Sequence, residues 1–139
     1  MRRTWIVLTA LGAVSVLGAC KSAEMPQAAD GRALYQENCA ICHGPAGRGD
    51  GPMARDLEKA PKDLTLIALR YGDGFPRAQV MSLIDGYARS DVDRPGMPEF
   101  GALLEGDLIP FDSGDGRLTP TPRKLVALLE YIESLQQGR

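Results

Sequence analysis

Apolar residues recur at helical spacing in three stretches of the chain. Leu125, Leu128, Leu129, Ile132 and Leu135 mark one face, with Tyr131 beside them, and predict a C-terminal amphipathic helix. Thr121 reads as its N-cap, Pro122 as its first helical residue and Gly138 as the stop beyond its end. A second helix is expected from Gly31 to about Ala40, capped by Asp30. A third opens at Pro76, where Val80, Leu83, Ile84 and Tyr87 share a face and Gly86 lies near the end. A short helix is expected from Asp63-Leu64 to Tyr71, while Glu58–Pro61 and Asp91–Phe100 read as loops. No period-two alternation suggests a sheet, and no internal repeat is apparent. The expected class is therefore mostly α, with three to five helices.

The first twenty residues follow a different logic. A basic start, Met1-Arg2-Arg3-Thr4, precedes fifteen mostly apolar residues from Trp5 to Ala19. Fifteen is short of the roughly 17–25 residues a helix needs to cross a bilayer, and the layout is that of a secretory signal peptide. Leu17-Gly18-Ala19-Cys20 resembles a bacterial lipobox, which implies acylation of Cys20 as the first mature residue. The expected organisation is a signal peptide over 1–19, a membrane tether over 20–29 and one domain over 30–139, exported and held on the periplasmic side of a bacterial membrane.

The 139 residues carry 16 Lys+Arg and 18 Asp+Glu, a formal charge of −2. Cleavage before Cys20 removes Arg2 and Arg3 and takes the charge to −4. No basic block points to nucleic acid. A single His excludes any multi-histidine centre.

Cys39-Ala40-Ile41-Cys42-His43 is C-x-x-C-H, the attachment sequence for c-type haem. Two thiols must add to two vinyl groups on one porphyrin edge, and cysteines three apart at a helix end present both sulfurs on one side. His43 follows directly and can turn under the ring to bind iron. The competing thioredoxin-like dithiol belongs near a βαβ pattern, which is absent. Zinc needs four ligands, and with Cys20 acylated only three Cys/His remain. Gly47-Arg-Gly49-Asp-Gly51 lacks the ending and preceding strand of a phosphate loop.

The run from Cys39 to Pro52 resembles the class I cytochrome c family, and the resemblance extends less specifically over residues 30–137. It implies helices wrapped around one covalently bound haem c per chain. It also implies that the Pro52 carbonyl accepts the Nδ1–H of His43, leaving Nε2 for iron. The first and last helices of the family cross with a small residue against an aromatic one, roles that Gly31, Tyr35 and Tyr131 match.

With no second His, the sixth iron ligand is sought among methionines. Met81 sits in a helix-like stretch, where Met is usually packing, and Met53 is the runner-up. Met97, in Gly96-Met97-Pro98-Glu99-Phe100, is the choice: Pro98 favours an extended backbone before it, and Gly-Met-Pro-x-Phe resembles the axial loop of the family. The Gly101–Pro120 segment is longer than the family's plain form. Its Asp112 and Asp115 do not match a calcium loop, so it reads as a solvated loop and a possible docking surface for a redox partner.

The sequence thus points to a monomeric, membrane-anchored electron carrier with no substrate turnover, meeting redox partner proteins transiently. A gas sensor or peroxidase with an open sixth site, or a relay subunit within a larger oxidoreductase, are the alternatives.

Overall fold

A computed structural model describes residues 24–72, 74–87 and 97–138. Among them are six α-helical segments: α1 (Ala28–Asn38), α2 (Ala40–His43), α3 (Ile67–Tyr71), α4 (Arg77–Asp85), α5 (Gly101–Leu104) and α6 (Arg123–Ser134). Two of the six are single turns, which takes the count above the expected three to five. Short 3₁₀ turns at Pro52–Arg55 and Leu64–Leu66 join them. None of the described helices is long and apolar enough to cross a membrane. The signal peptide and Cys20 lie outside the described residues.

The core is the crossing of α1 and α6. Leu125, Val126, Leu128, Leu129 and Ile132 are buried along α6, and Tyr35 of α1 is fully enclosed. Its ring meets Tyr131 at 5.1 Å between centroids, tilted by 52°, a geometry that aromatic pairs favour. Gly31 lets the two backbones touch: a Cβ there would fall inside contact distance of the Ala127 carbonyl group, 2.5 Å from its carbon and 2.9 Å from the Leu128 nitrogen. The two helices cross as the resemblance implied, but the aromatic partner of Tyr131 is Tyr35, and the small residue Gly31 meets the Ala127–Leu128 backbone.

Two helix starts differ from expectation. Asp30 is not the N-cap of α1 but its third residue, where its Oδ2 accepts the Gln27 N–H at 2.7 Å. α1 consequently begins before residue 30. Pro26 is buried, and the Arg123 guanidinium donates to the Glu24 carbonyl at 2.7 Å. Thr121 does not cap α6 either, since it lies in a strand and its hydroxyl donates to the Thr119 carbonyl at 2.9 Å. On α4, Val80 and Ile84 are buried as expected, but Tyr87 lies beyond the helix end and is 89% exposed.

The largest departure is a sheet. β1 (Leu108–Asp112) and β2 (Leu118–Pro122) form an antiparallel hairpin in the register Leu108↔Pro122, Pro110↔Pro120 and Asp112↔Leu118. Ile109 and Phe111 enter the core from one face. Arg77 stacks over the Phe111 ring at 5.7 Å and bonds Glu133 at 2.8 Å, tying α4, β1 and α6 together. The Asp112 carboxylate closes the turn by accepting from the Gly114 and Gly116 amides at 2.8 and 3.0 Å.

The close approach at Gly31 yields a direct test. Gly31→Ala forces the helices apart and is expected to destabilise the fold by about 1–3 kcal/mol, read as a lower urea midpoint. An unchanged midpoint removes the close-contact account.

Candidate cofactor site

α1 ends at Asn38, and the chain turns through Cys39 into α2, so the whole C-x-x-C-H motif occupies one helical turn at the end of α1. The His43 amide donates to the Cys39 carbonyl at 2.8 Å, and the Cys42 amide to the same oxygen at 3.2 Å. Both cysteines are free thiols and half-buried. The following loop folds back on the motif. Gly49 donates to the His43 carbonyl at 2.8 Å and Gly51 to the Cys42 carbonyl at 3.1 Å, satisfying acceptors that a helix end leaves open. Gly51 lies so close that an added Cβ would stand 2.5 Å from the Ile41 oxygen. From the core side, the Tyr35 hydroxyl donates to the Gly44 carbonyl at 2.8 Å.

His43 is held by a backbone group. Its Nδ1 lies 3.0 Å from the Lys62 carbonyl. A carbonyl can only accept, so Nδ1 carries the proton and Nε2 keeps its lone pair. This corrects the role expected of Pro52. That residue opens the 3₁₀ turn Pro52–Arg55 and is exposed, whereas the chain after Pro61 passes beside the imidazole and supplies the acceptor. Burial holds the His43 imidazole below its ordinary pKa, against an opposing pull from the Lys62 carbonyl, and so favours the neutral ring.

Burial, with Cys42 adjacent, pushes the Cys39 thiol up to about 11. Reactive dithiols have the opposite shift, because their chemistry runs through the thiolate. Among the described residues no three His, Cys, Asp or Glu side chains gather as a metal centre of their own. The donor set is therefore two protonated thiols on one turn and one imidazole with its outer nitrogen unprotonated. That set suits a haem bound by two thioethers and one axial nitrogen.

The structure gives the methionines different settings. Met97 is half-buried and packs on the same core cluster as Cys39, as do Met81, Phe75 and Phe100. Two residues beyond Pro98, the Phe100 amide donates to the Ile84 carbonyl at 3.0 Å and fixes the segment to the end of α4. Met53 is 41% exposed.

Two supports escaped the sequence reading. The Lys62 contact comes from main chain and has no side-chain signature. Tyr35 shows as an aromatic core position, but its hydroxyl partner nine residues on does not. Tyr35→Phe leaves the buried Gly44 carbonyl without its donor and is expected to cost about 1–3 kcal/mol, measured as a fall in the unfolding midpoint of the haem-bearing protein. No loss would show that the bond does not hold the loop.

Residues 26–108 match the family described as cytochrome C oxidase, cbb3-type, subunit III. No curated protein and no solved structure gave a match. The matched region runs from the approach to α1 through the C-x-x-C-H turn and Met97 to the first residue of β1. Spanning more than half of the chain, it establishes that the protein belongs to this family and that its domain is a class I c-type cytochrome domain.

Proposed function

We propose that this chain is a membrane-anchored, mono-haem electron carrier working outside the cytoplasm, with Cys39 and Cys42 holding the haem and His43 and Met97 as axial ligands. The observation that carries the reading is the His43 arrangement: a neutral imidazole, its Nδ1–H fixed on the Lys62 carbonyl, one residue from a pair of thiols. When bound, haem supplies a one-electron iron couple.

The chain's own residues then have distinct tasks. The Lys62 carbonyl orients the imidazole and raises its basicity. The Tyr35 and Gly51 contacts hold the turn that carries both sulfurs. Met97, already half-buried against the core, offers a soft neutral thioether, which favours the reduced state and raises the potential. Two strong protein ligands leave no vacancy for oxygen, as a carrier requires. Cys20 anchors the mature chain through its acyl groups, which places the domain on the periplasmic side of a membrane.

The family description, an oxidase subunit, favours a second reading in which the same haem relays electrons inside a larger complex. A terminal oxidase that co-purifies in fixed stoichiometry with this chain would select it; a chain recovered alone would favour the free carrier.

The oxidised protein is expected to show the weak far-red sulfur-to-iron charge-transfer band, and Met97→Ala to lose it. A wild type without the band, whose reduced form binds carbon monoxide readily, overturns Met97 ligation and brings forward the sensor or peroxidase reading. The mature protein is expected to weigh more than haem-bearing residues 20–139 by the mass of its acyl groups. A mass equal to the bare chain removes the anchor.

A further inference from the structure

The hairpin presents an apolar face that the domain leaves uncovered. With Ile109, Phe111 and Thr121 turned to the core, alternation places Leu108, Pro110, Asp112, Leu118, Pro120 and Pro122 on the other side, the Asp112 carboxylate being drawn onto the Gly114 and Gly116 amides at the turn. Leu108 is 61% and Leu118 70% exposed. Apolar side chains gathered on an exposed face mark an interaction site more often than the same residues scattered singly.

The backbone narrows what can sit there. Proline has no N–H to give, so the hydrogen-bonded pairs of this ladder are Ile109↔Thr121 and Phe111↔Thr119, and the outward-directed positions include Pro110, Pro120 and Pro122. Both edges are therefore interrupted against a further strand. What remains is contact through side chains, with a surface that asks for no backbone pairing.

The course of the N-terminal segment names that surface. The guanidinium of Arg123, the residue after Pro122, holds the Glu24 carbonyl, and the Arg123 amide donates to the Asp107 carbonyl at 2.8 Å beside Leu108. Cys20 precedes Glu24 by four residues, which span at most about 13–14 Å. The chain toward Cys20 thus leaves the described residues at the Leu108–Pro122 end of the hairpin. Exposed Met25 and Leu103 flank the same end, Leu103 through its carbonyl at 3.4 Å from the Lys124 ammonium. Arg117, Arg123 and Lys124 are offset by Glu24, Glu105 and Asp107, so charge gives little reason to select anionic lipid.

We infer that the outer face of the hairpin rests on the bilayer that holds Cys20, seating Leu108, Pro110, Leu118 and Pro120 at the boundary of headgroups and acyl chains and fixing the orientation of the domain. This inference rests on the proposed anchor. The contact is apolar and forms on zwitterionic lipid.

The test uses the full mature protein, acylated at Cys20 and carrying haem, in phosphatidylcholine vesicles. Its native thiols are all consumed, so Leu118→Cys and, separately, Leu108→Cys each supply one site for a nitroxide label. Ala60→Cys, on the exposed loop at the far end of α1, is the reference. The ratio of accessibility to oxygen over accessibility to a water-soluble nickel chelate is expected to be at least about threefold higher at 118 and 108 than at 60. Equal ratios on protein that still floats with the vesicles overturn the bilayer contact, leave the anchor standing and return the face to a protein partner. Protein that does not float overturns both.

Discussion

The backbone contact of α1 with α6 is the constraint from which the site is suspended. Gly31 lets the two helices meet at van der Waals distance of the main chain, and this sets the height at which Tyr35 enters the core beside Tyr131. Tyr35 then reaches out of the core to the Gly44 carbonyl. The C-x-x-C-H turn is held between that hydroxyl on one side and the Gly49–Gly51 amides on the other. A larger residue at 31 acts at a distance, because it moves the ring that holds the turn.

The chemistry at the turn depends on groups kept neutral. Burial disfavours both the Cys39 thiolate and the His43 imidazolium. A thiol that stays protonated is poorly suited to disulfide exchange, and an imidazole that stays neutral is suited to a metal. The same partial burial thus argues against one reading of C-x-x-C and for another. A backbone carbonyl does the orienting, which makes this part of the site insensitive to the side chain at position 62, an exposed Lys.

What could be read from the sequence was what is local. The C-x-x-C-H motif is legible because covalent attachment fixes residue types and spacing within one turn, and the α6 stripe because burial of a helix face imposes its period. The hairpin was hidden because three prolines and two threonines dilute the apolar alternation of Ile109 and Phe111, although Asp115-Gly116 marks its turn. The caps of α1 and α6 were misplaced because Asp30 and Thr121 are good capping residues that tertiary structure uses otherwise, one as the third helical residue and one in a strand. Pro52 drew attention because it matches the position of the family's carbonyl-bearing proline. The carbonyl that meets His43 comes from beyond Pro61, and only the path of the folded chain decides which segment passes the ring.

The pairing of the first helix with the last also sets an order of events. α1 finds its main cover in α6, nearly a hundred residues later, and such distant contacts are slow to form. Until the final residues are available, Tyr35 and Gly31 have nothing to close against, and the turn bearing Cys39 and Cys42 stays open. Docking of α6 is therefore the step that closes the core behind the Cys39–His43 turn.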